Sequence, residues 1–416
     1  MEVIMVFVSA KRRYSFVLFS VLISLLFLSS MTLAAGEELL EKDWQEIVSL
    51  ADGSRVNFYM WGGDREINNW VDTFVADSLE ELYNINLNRV PMGPDDYLNK
   101  LLAEKQINRK KGSIDLLWIN GENFKTAREH DLLFGPFADV LPNFNKYIDK
   151  TSVETTTDFG FPTEGYEVPY GKAQFVFIYN TEKIDKPPLN FSELAEWVKE
   201  NPGKFTYPAL PDFTGSAFVR HVIYELTGGY EQFFDIEEVE LAERIKPALN
   251  YLAEIEPYLW REGDSYPATI AQLDNMFADG EVWMSMAYHP SKASGEIKKG
   301  NFPNSTRTFV LEDGTISNTH FLAIPFNASN KAGALVTADF LESFEAQLSK
   351  MNPALWGDTP VFSFDRLTEE EREAVEAIDL GIATLSQEKL QEHRVPEIPA
   401  HLVPLIEEEW KRVVGQ

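Results

Sequence analysis

Val168–Asn180, VPYGKAQFVFIYN, leaves a polar, turn-prone segment and enters a run of apolar, β-branched and aromatic residues that ends in Asn. Asn318–Ala328, NTHFLAIPFNA, repeats the transition. Such residues suit a pleated, half-buried surface, so both stretches read as strands. They bracket about 140 residues of mixed helical and strand pattern. A chain that builds one α/β lobe, leaves it, builds another and returns needs two such crossings. Two lobes joined in this way can close on a small molecule.

The flanking segments fit that plan. Val56–Trp61 (VNFYMW), Ile85–Val90 and Ile114–Ile119 are predicted strands, and the first ends in Gly62-Gly63-Asp64. Between the first two, Val71, Phe74, Val75, Leu79 and Leu82 recur at helical spacing. Past Val168, helices are expected over Phe191–Glu200, Ala217–Leu226, Glu237–Trp260 and Thr269–Ala278, with strands at Lys204–Tyr207 and Glu281–Ala287. Ala332–Leu348, Glu369–Leu380 and Leu402–Val414 complete the helices. Alternation of this kind predicts an α/β fold with largely parallel strands. Lobe one is expected over 36–169 plus 322–416, and lobe two over 170–321.

Residues 1–35 read as a leader. Lys11, Arg12 and Arg13 precede an apolar run, Tyr14–Leu33, and small residues follow around Ala34. That run approaches the roughly 20 residues that span a bilayer, so an uncleaved anchor is the alternative. No second stretch of this kind follows. The chain has no cysteine, which closes both disulfides and a lipid-modified cleavage site. Export to a soluble compartment by a cleaved signal peptide is the expectation. The net charge of −29 argues against nucleic acid and anionic lipid, since it leaves no basic stripe for phosphate contacts.

Ligands of open α/β sheets sit beyond the carboxyl ends of strands. Trp61, Gly62 and Gly63 follow the first predicted strand, Asn120, Glu122 and Asn123 the third, and Tyr288 the strand ending at Ala287. Glycine lets backbone approach a ligand, and Asn and Glu supply directed polar contacts. Thr214-Gly215-Ser216 opens a helix whose free N–H groups could seat an anion, with Arg220 one turn on; a plain N-cap predicts the same residues. Tyr170 and Asn318 stand on the two crossings. Aromatic residues near strand ends, Tyr59, Trp118 and Phe124 among them, either wall a site for a flat or cationic solute or fill the core. His289 and His320 with Tyr288 could approach a metal, yet no histidine pair has ligand spacing, and no metal or cofactor is expected. No nucleophile-elbow, P-loop or dinucleotide fingerprint is present.

WGGD, WINGENF and VPYGKAQFVFIYN, together with LLFGP (Leu132–Pro136), LAIPFNAS (Leu322–Ser329) and NPALWGDTPV (Asn352–Val361), carry a resemblance. Over essentially all of the chain past the leader, the sequence resembles the YnjB-type solute-binding components of bacterial ABC transporters. The resemblance implies a two-lobed type II periplasmic-binding-protein fold, a ligand cleft between the lobes, hinge closure and a periplasmic location. It implies an ABC permease and its ATPase as partners; the chain itself is expected to be a monomer. More distant relatives bind ferric ion, thiamine and polyamines; the adjacent tyrosine pair of the iron binders has no counterpart here. The ligand is left open among a metal, a cofactor precursor, a polyamine and a zwitterion. One rival is an exported hydrolase with a carboxylate pair about 5–10 Å apart, Glu122 and Asp64 being the first candidates. The other is a ligand sensor that engages a receptor.

Overall fold

The computed structural model describes residues 38–415. The expected leader, 1–35, lies outside the described residues. Strands β1 (Arg55–Met60), β2 (Asn86–Pro91) and β3 (Leu116–Ile119) pair in parallel in the order β2-β1-β3. The helical connection from β1 to β2 spans Arg65–Tyr83 with one wider turn at Val71–Val75, and Pro94–Gln106 connects β2 to β3. Parallel neighbours require such crossovers. β4 (Leu133–Phe134) and a small hairpin of β5 (Thr157–Asp158) and β6 (Phe161–Pro162) follow.

The two quoted stretches are partners of each other. β7 (Glu167–Gln174) and β11 (Thr315–Pro325) pair antiparallel from Gln174 opposite Ser317 to Glu167 opposite Ala323, with a register shift at His320/Phe321. Each strand is rooted in both lobes. Phe175 and Ile316 belong to one apolar core, whereas Val168, Tyr170, Leu322 and Ile324 belong to another. The crossing is therefore a two-stranded ribbon continuous with the first sheet, and the boundary falls at Gln174/Phe175 rather than at 169/170. β8 (Val176–Asn180), β9 (Met284–Ala287) and β10 (Thr306–Phe309) form a second sheet, order β10-β8-β9.

The pairing corrects the expectation of largely parallel strands. Parallel neighbours are confined to β2-β1-β3 and to the contact of β11 with β12 (Arg394–Val395); all pairs of the second sheet are antiparallel. A strand returning from a crossing must run back through the sheet it left, which reverses its sense. Lys204–Tyr207 forms no strand; its carbonyls instead accept from Trp283 and Trp260.

The tail departs most from expectation. Val375 still packs with Tyr147, Met351 and Phe362 on the lobe-one side. From Ala383 on, however, Leu390, Ile398, Leu402, Ile406 and Trp410 join the core built from Phe175 to Leu311. Trp410 Nε1 donates to the Tyr207 hydroxyl at 3.1 Å. Among the described residues the chain thus crosses three times, and assignment of all of 322–416 to lobe one does not match the packing. The amphipathic pattern of 403–413 required a partner surface but did not say which.

Candidate functional site

Strand β11 has β7 along one edge. Its other edge is taken by β12 at Thr315–Ile316 and by β3 at Phe321–Ala323. Residues 317–320 between them are left without a neighbouring strand on that side, and this notch stands where β3 ends and Asn120 begins. A cavity of about 460 Å³ opens there. Asn318 and Phe321 of the crossing strand, Asp158 and Phe159 of lobe one, Phe234 of lobe two and Arg394 of the tail face into it. Its walls come from both lobes.

A charged chain lies alongside the cavity and reaches it through Glu154 and Arg394. Lys172 and Gln174 of β7 lie opposite Thr319 and Ser317 of β11. Lys172 Nζ is 2.5 Å from the Glu154 carboxylate, and Arg394 reaches the same carboxylate at 3.4 Å and the Gln174 side-chain oxygen at 3.3 Å. On the lobe-two wall, Arg220 grips Glu397 through two bonds of 3.1 Å, and the Tyr288 hydroxyl donates to Glu397 at 2.6 Å. On lobe one, the Asp158 carboxyl accepts the N–H of Gly121, whose φ of +55° is a left-handed value that glycine adopts without strain. Burial pushes the Asp158 carboxyl well up, and burial with the nearby Asp158 does the same to Glu167.

The opposite face of the ribbon carries aromatic rings. Tyr170 meets Trp118 at 5.3 Å and Trp356 at 5.5 Å between centroids, and Trp118 meets His320 at 5.0 Å. Beneath them Lys350 and Asp358 form a buried ion pair at 3.1 Å, and Lys350 also donates to the Tyr170 carbonyl. Asn120 Nδ2 lies 3.3 Å from His320 Nδ1. Buried polar atoms without a hydrogen-bond partner in this region include Asn120 Oδ1, Asn318 Oδ1, the Tyr170 hydroxyl and His289 Nδ1. Buried polar groups are ordinarily paired, so these atoms are exceptions in the packing. Lys299 of lobe two meets Glu66 of lobe one at 3.0 Å, an ion pair across the cleft.

Burial lowers the pKa of His320 from 6.5 to about 4. The unfolded chain then takes up this proton first as pH falls. The stabilising contribution is whole above pH 6.5, declines below it and is gone by about pH 4. Wild type should therefore lose stability relative to H320Q by up to about 1.4 kcal/mol per pH unit within that window. Urea unfolding of both proteins across the window checks this; a constant difference would mean a solvated imidazole.

The candidates from sequence fall into two groups. Asn318 lines the cavity, whereas Asn120 and Tyr170 stand outside its lining, beside His320 and Trp118 respectively. Tyr288 reaches the cavity wall through Glu397, and Ser216 stands one residue further back, its hydroxyl accepting from Arg220 at 2.8 Å and donating to Glu407 at 3.0 Å. Trp61, Gly62, Gly63, Glu122 and Asn123 do not line the cavity. Trp61 is 52% exposed past the end of β1, its ring over Gly63, while a Cβ on Gly62 would press on Pro91 at 2.7 Å. Glu122 is exposed in the first turn of its helix.

The anion seat at Thr214-Gly215-Ser216 needs correction. The N–H groups of Thr214 and Gly215 are held by the Asp212 carboxylate at 2.9 and 3.0 Å, which also caps Ile270 at 3.0 Å. The helix start has already recruited its anion from the chain. Gly215 is there for packing, since a Cβ would collide with the Pro208 carbonyl. Asp64, proposed for the hydrolase pair, likewise caps a helix by accepting from Ile67 N–H at 3.0 Å. Among the described residues no group of three or more histidine or acidic side chains is placed to hold a metal ion. Asp158, Phe159, Phe234, Arg394 and Glu397 line the cavity and were not among the residues expected from sequence.

A profile of bacterial extracellular solute-binding proteins matches residues 74–363. The chain belongs to that family. It is 39% identical over 338 residues to protein YnjB of Escherichia coli (strain K12), covering 80% of this chain and 86% of that one. In fold it is similar to an ABC transporter protein from Clostridium perfringens, with a TM-score of 0.62, 16% identity and coverage of 86% of this chain and 99% of the other. It is also similar to the spermidine/putrescine ABC transporter substrate-binding protein PotD from Streptococcus pneumoniae, with a TM-score of 0.54, 13% identity and coverage of 86% and 100%. The fold is thus the two-lobed type II periplasmic-binding fold, the two lobes as the crossings led one to expect and the type as the resemblance implied. Among the described residues no helix is long and apolar enough to cross a membrane.

Proposed function

We propose that this solute-binding protein captures a small molecule in the notch between its lobes, closes on it, and hands it to an ABC permease driven by an ATPase. The observation that carries this reading is the cavity on the open edge of β11, with walls from lobe one, lobe two and the tail. Its volume falls within the range of small-molecule sites. A solute touching both lobes favours the closed arrangement by the difference in its affinity for closed and open forms. The expected residence is the periplasm, after removal of 1–35, as a monomer without catalytic activity. The capped Asp64 and the exposed Glu122 support binding over hydrolysis, because neither acid lines the cavity.

Native mass spectrometry of the protein as purified tests the proposal. The expected spectrum is a single chain carrying one small molecule, released intact on denaturation. Returned to the stripped protein at 100 times its dissociation constant, that molecule should stabilise the fold by about 2.7 kcal/mol. Chemical conversion of the returned molecule would support the hydrolase instead.

A further inference from the structure

The charges around the cavity do not cancel. Glu397 is fully engaged by the Arg220 fork and the Tyr288 hydroxyl. Glu154 is held closely by Lys172 at 2.5 Å and only loosely by Arg394 at 3.4 Å. Two cations thus share one carboxylate of the cavity lining. The Asp158 carboxyl is buried, with burial favouring its neutral form, and Glu231 at the mouth is exposed to water. What remains is a surplus positive charge inside a protein whose net charge is −29.

Arg394 is the side chain that presents this charge. Its contacts to Glu154 and Gln174, at 3.4 and 3.3 Å, are longer than the 2.7–2.9 Å typical of a charge-assisted bond, roughly stated. A guanidinium has five N–H donors, so most of its capacity is uncommitted to these two bonds. Phe159, Phe234 and Phe321 offer apolar walls.

We propose that the cavity takes an organic anion, a small molecule with one carboxylate or phosphate group on an apolar body, and that Arg394 receives the anionic group. This rests on the inter-lobe binding reading and gives that site a ligand class. It also moves the anion contact from Thr214, whose amides Asp212 occupies, to the tail that crosses back into lobe two.

The test uses two probes of like shape and opposite charge, 3-phenylpropionate and 3-phenylpropylammonium, titrated by ligand-observed NMR into the stripped full-length protein. The variants are R394Q, R394K and F234A, each checked for an unchanged circular dichroism spectrum. The expected result is millimolar binding of the carboxylate, weakened about tenfold or more by R394Q, less by R394K, and weakened by F234A. Binding of the ammonium probe in its place, sensitive to F234A, would overturn the anion assignment while leaving the cavity as the binding site. Carboxylate binding indifferent to R394Q, or no binding of either probe, would also overturn it. The mass-spectrometric experiment above decides the parent reading on its own, because it needs no assumption about ligand charge.

Discussion

Replacing Glu397 by alanine is expected to lower the unfolding free energy by about 3–5 kcal/mol, the cost of leaving a buried charge without its partner. Arg220 and Glu397 are each 2% exposed in their side chains, so water cannot take over the guanidinium when the carboxylate goes. The Tyr288 hydroxyl loses its acceptor in the same step. The damage reaches beyond one pair, because Glu397 lies on the tail and Arg220 on the helix Phe213–Thr227 of lobe two. Urea unfolding should show a lower midpoint with little change in slope. The double variant R220M/E397L should recover most of the loss, since an apolar pair of similar volume can replace a buried ion pair. A loss below about 1 kcal/mol in E397A would indicate a solvated pair of the surface kind.

Gly171 is the second sensitive position. It sits on β7 opposite His320, and a Cβ there would collide with the Asp358 carboxylate and stand 2.8 Å from Lys350 Nζ. Neither group can retreat into water: Lys350 is 0% and Asp358 2% exposed. G171A should therefore cost about 3 kcal/mol, combining overpacking with separation of the buried pair. The effect should shrink to below about 1 kcal/mol when measured in a K350M/D358L background, because residues in contact couple. Equal costs in both backgrounds would put the strain in the backbone instead. Gly171 is on the crossing ribbon, so the same variant should also weaken solute binding.

How far the sequence could be read depends on what each signal encodes. Val168–Asn180 and Asn318–Ala328 were legible as strands because their β-branched and aromatic residues favour that backbone. Their pairing with each other was not, since a strand's pattern gives its faces and not its partner. The tail shows the same limit: Leu402, Ile406 and Trp410 mark an apolar stripe that either lobe could have covered. Thr214-Gly215-Ser216 looked like an anion seat because a capped and an uncapped helix start share residue types. Asp212, two residues earlier, was the available signal, being a preferred capping residue. Asn318, which lines the cavity, could be picked from its place on a crossing. Arg394 could not, because a single arginine among the prolines of HRVPEIPAH follows no period or spacing and reaches the cavity only through the third crossing.

The central claim is that the lobes move on the ribbon when a solute enters the notch, and a spin-label distance across the cleft measures it directly. The chain has no cysteine, so I107C and V239C, at sites 72% and 85% exposed on lobes one and two, would carry the labels alone. Protein stripped of small molecules should give an open population at long distance. Returning the molecule released from the native preparation should shift that population to a single shorter distance. Identical distance distributions in the stripped and refilled protein would contradict closure between the lobes.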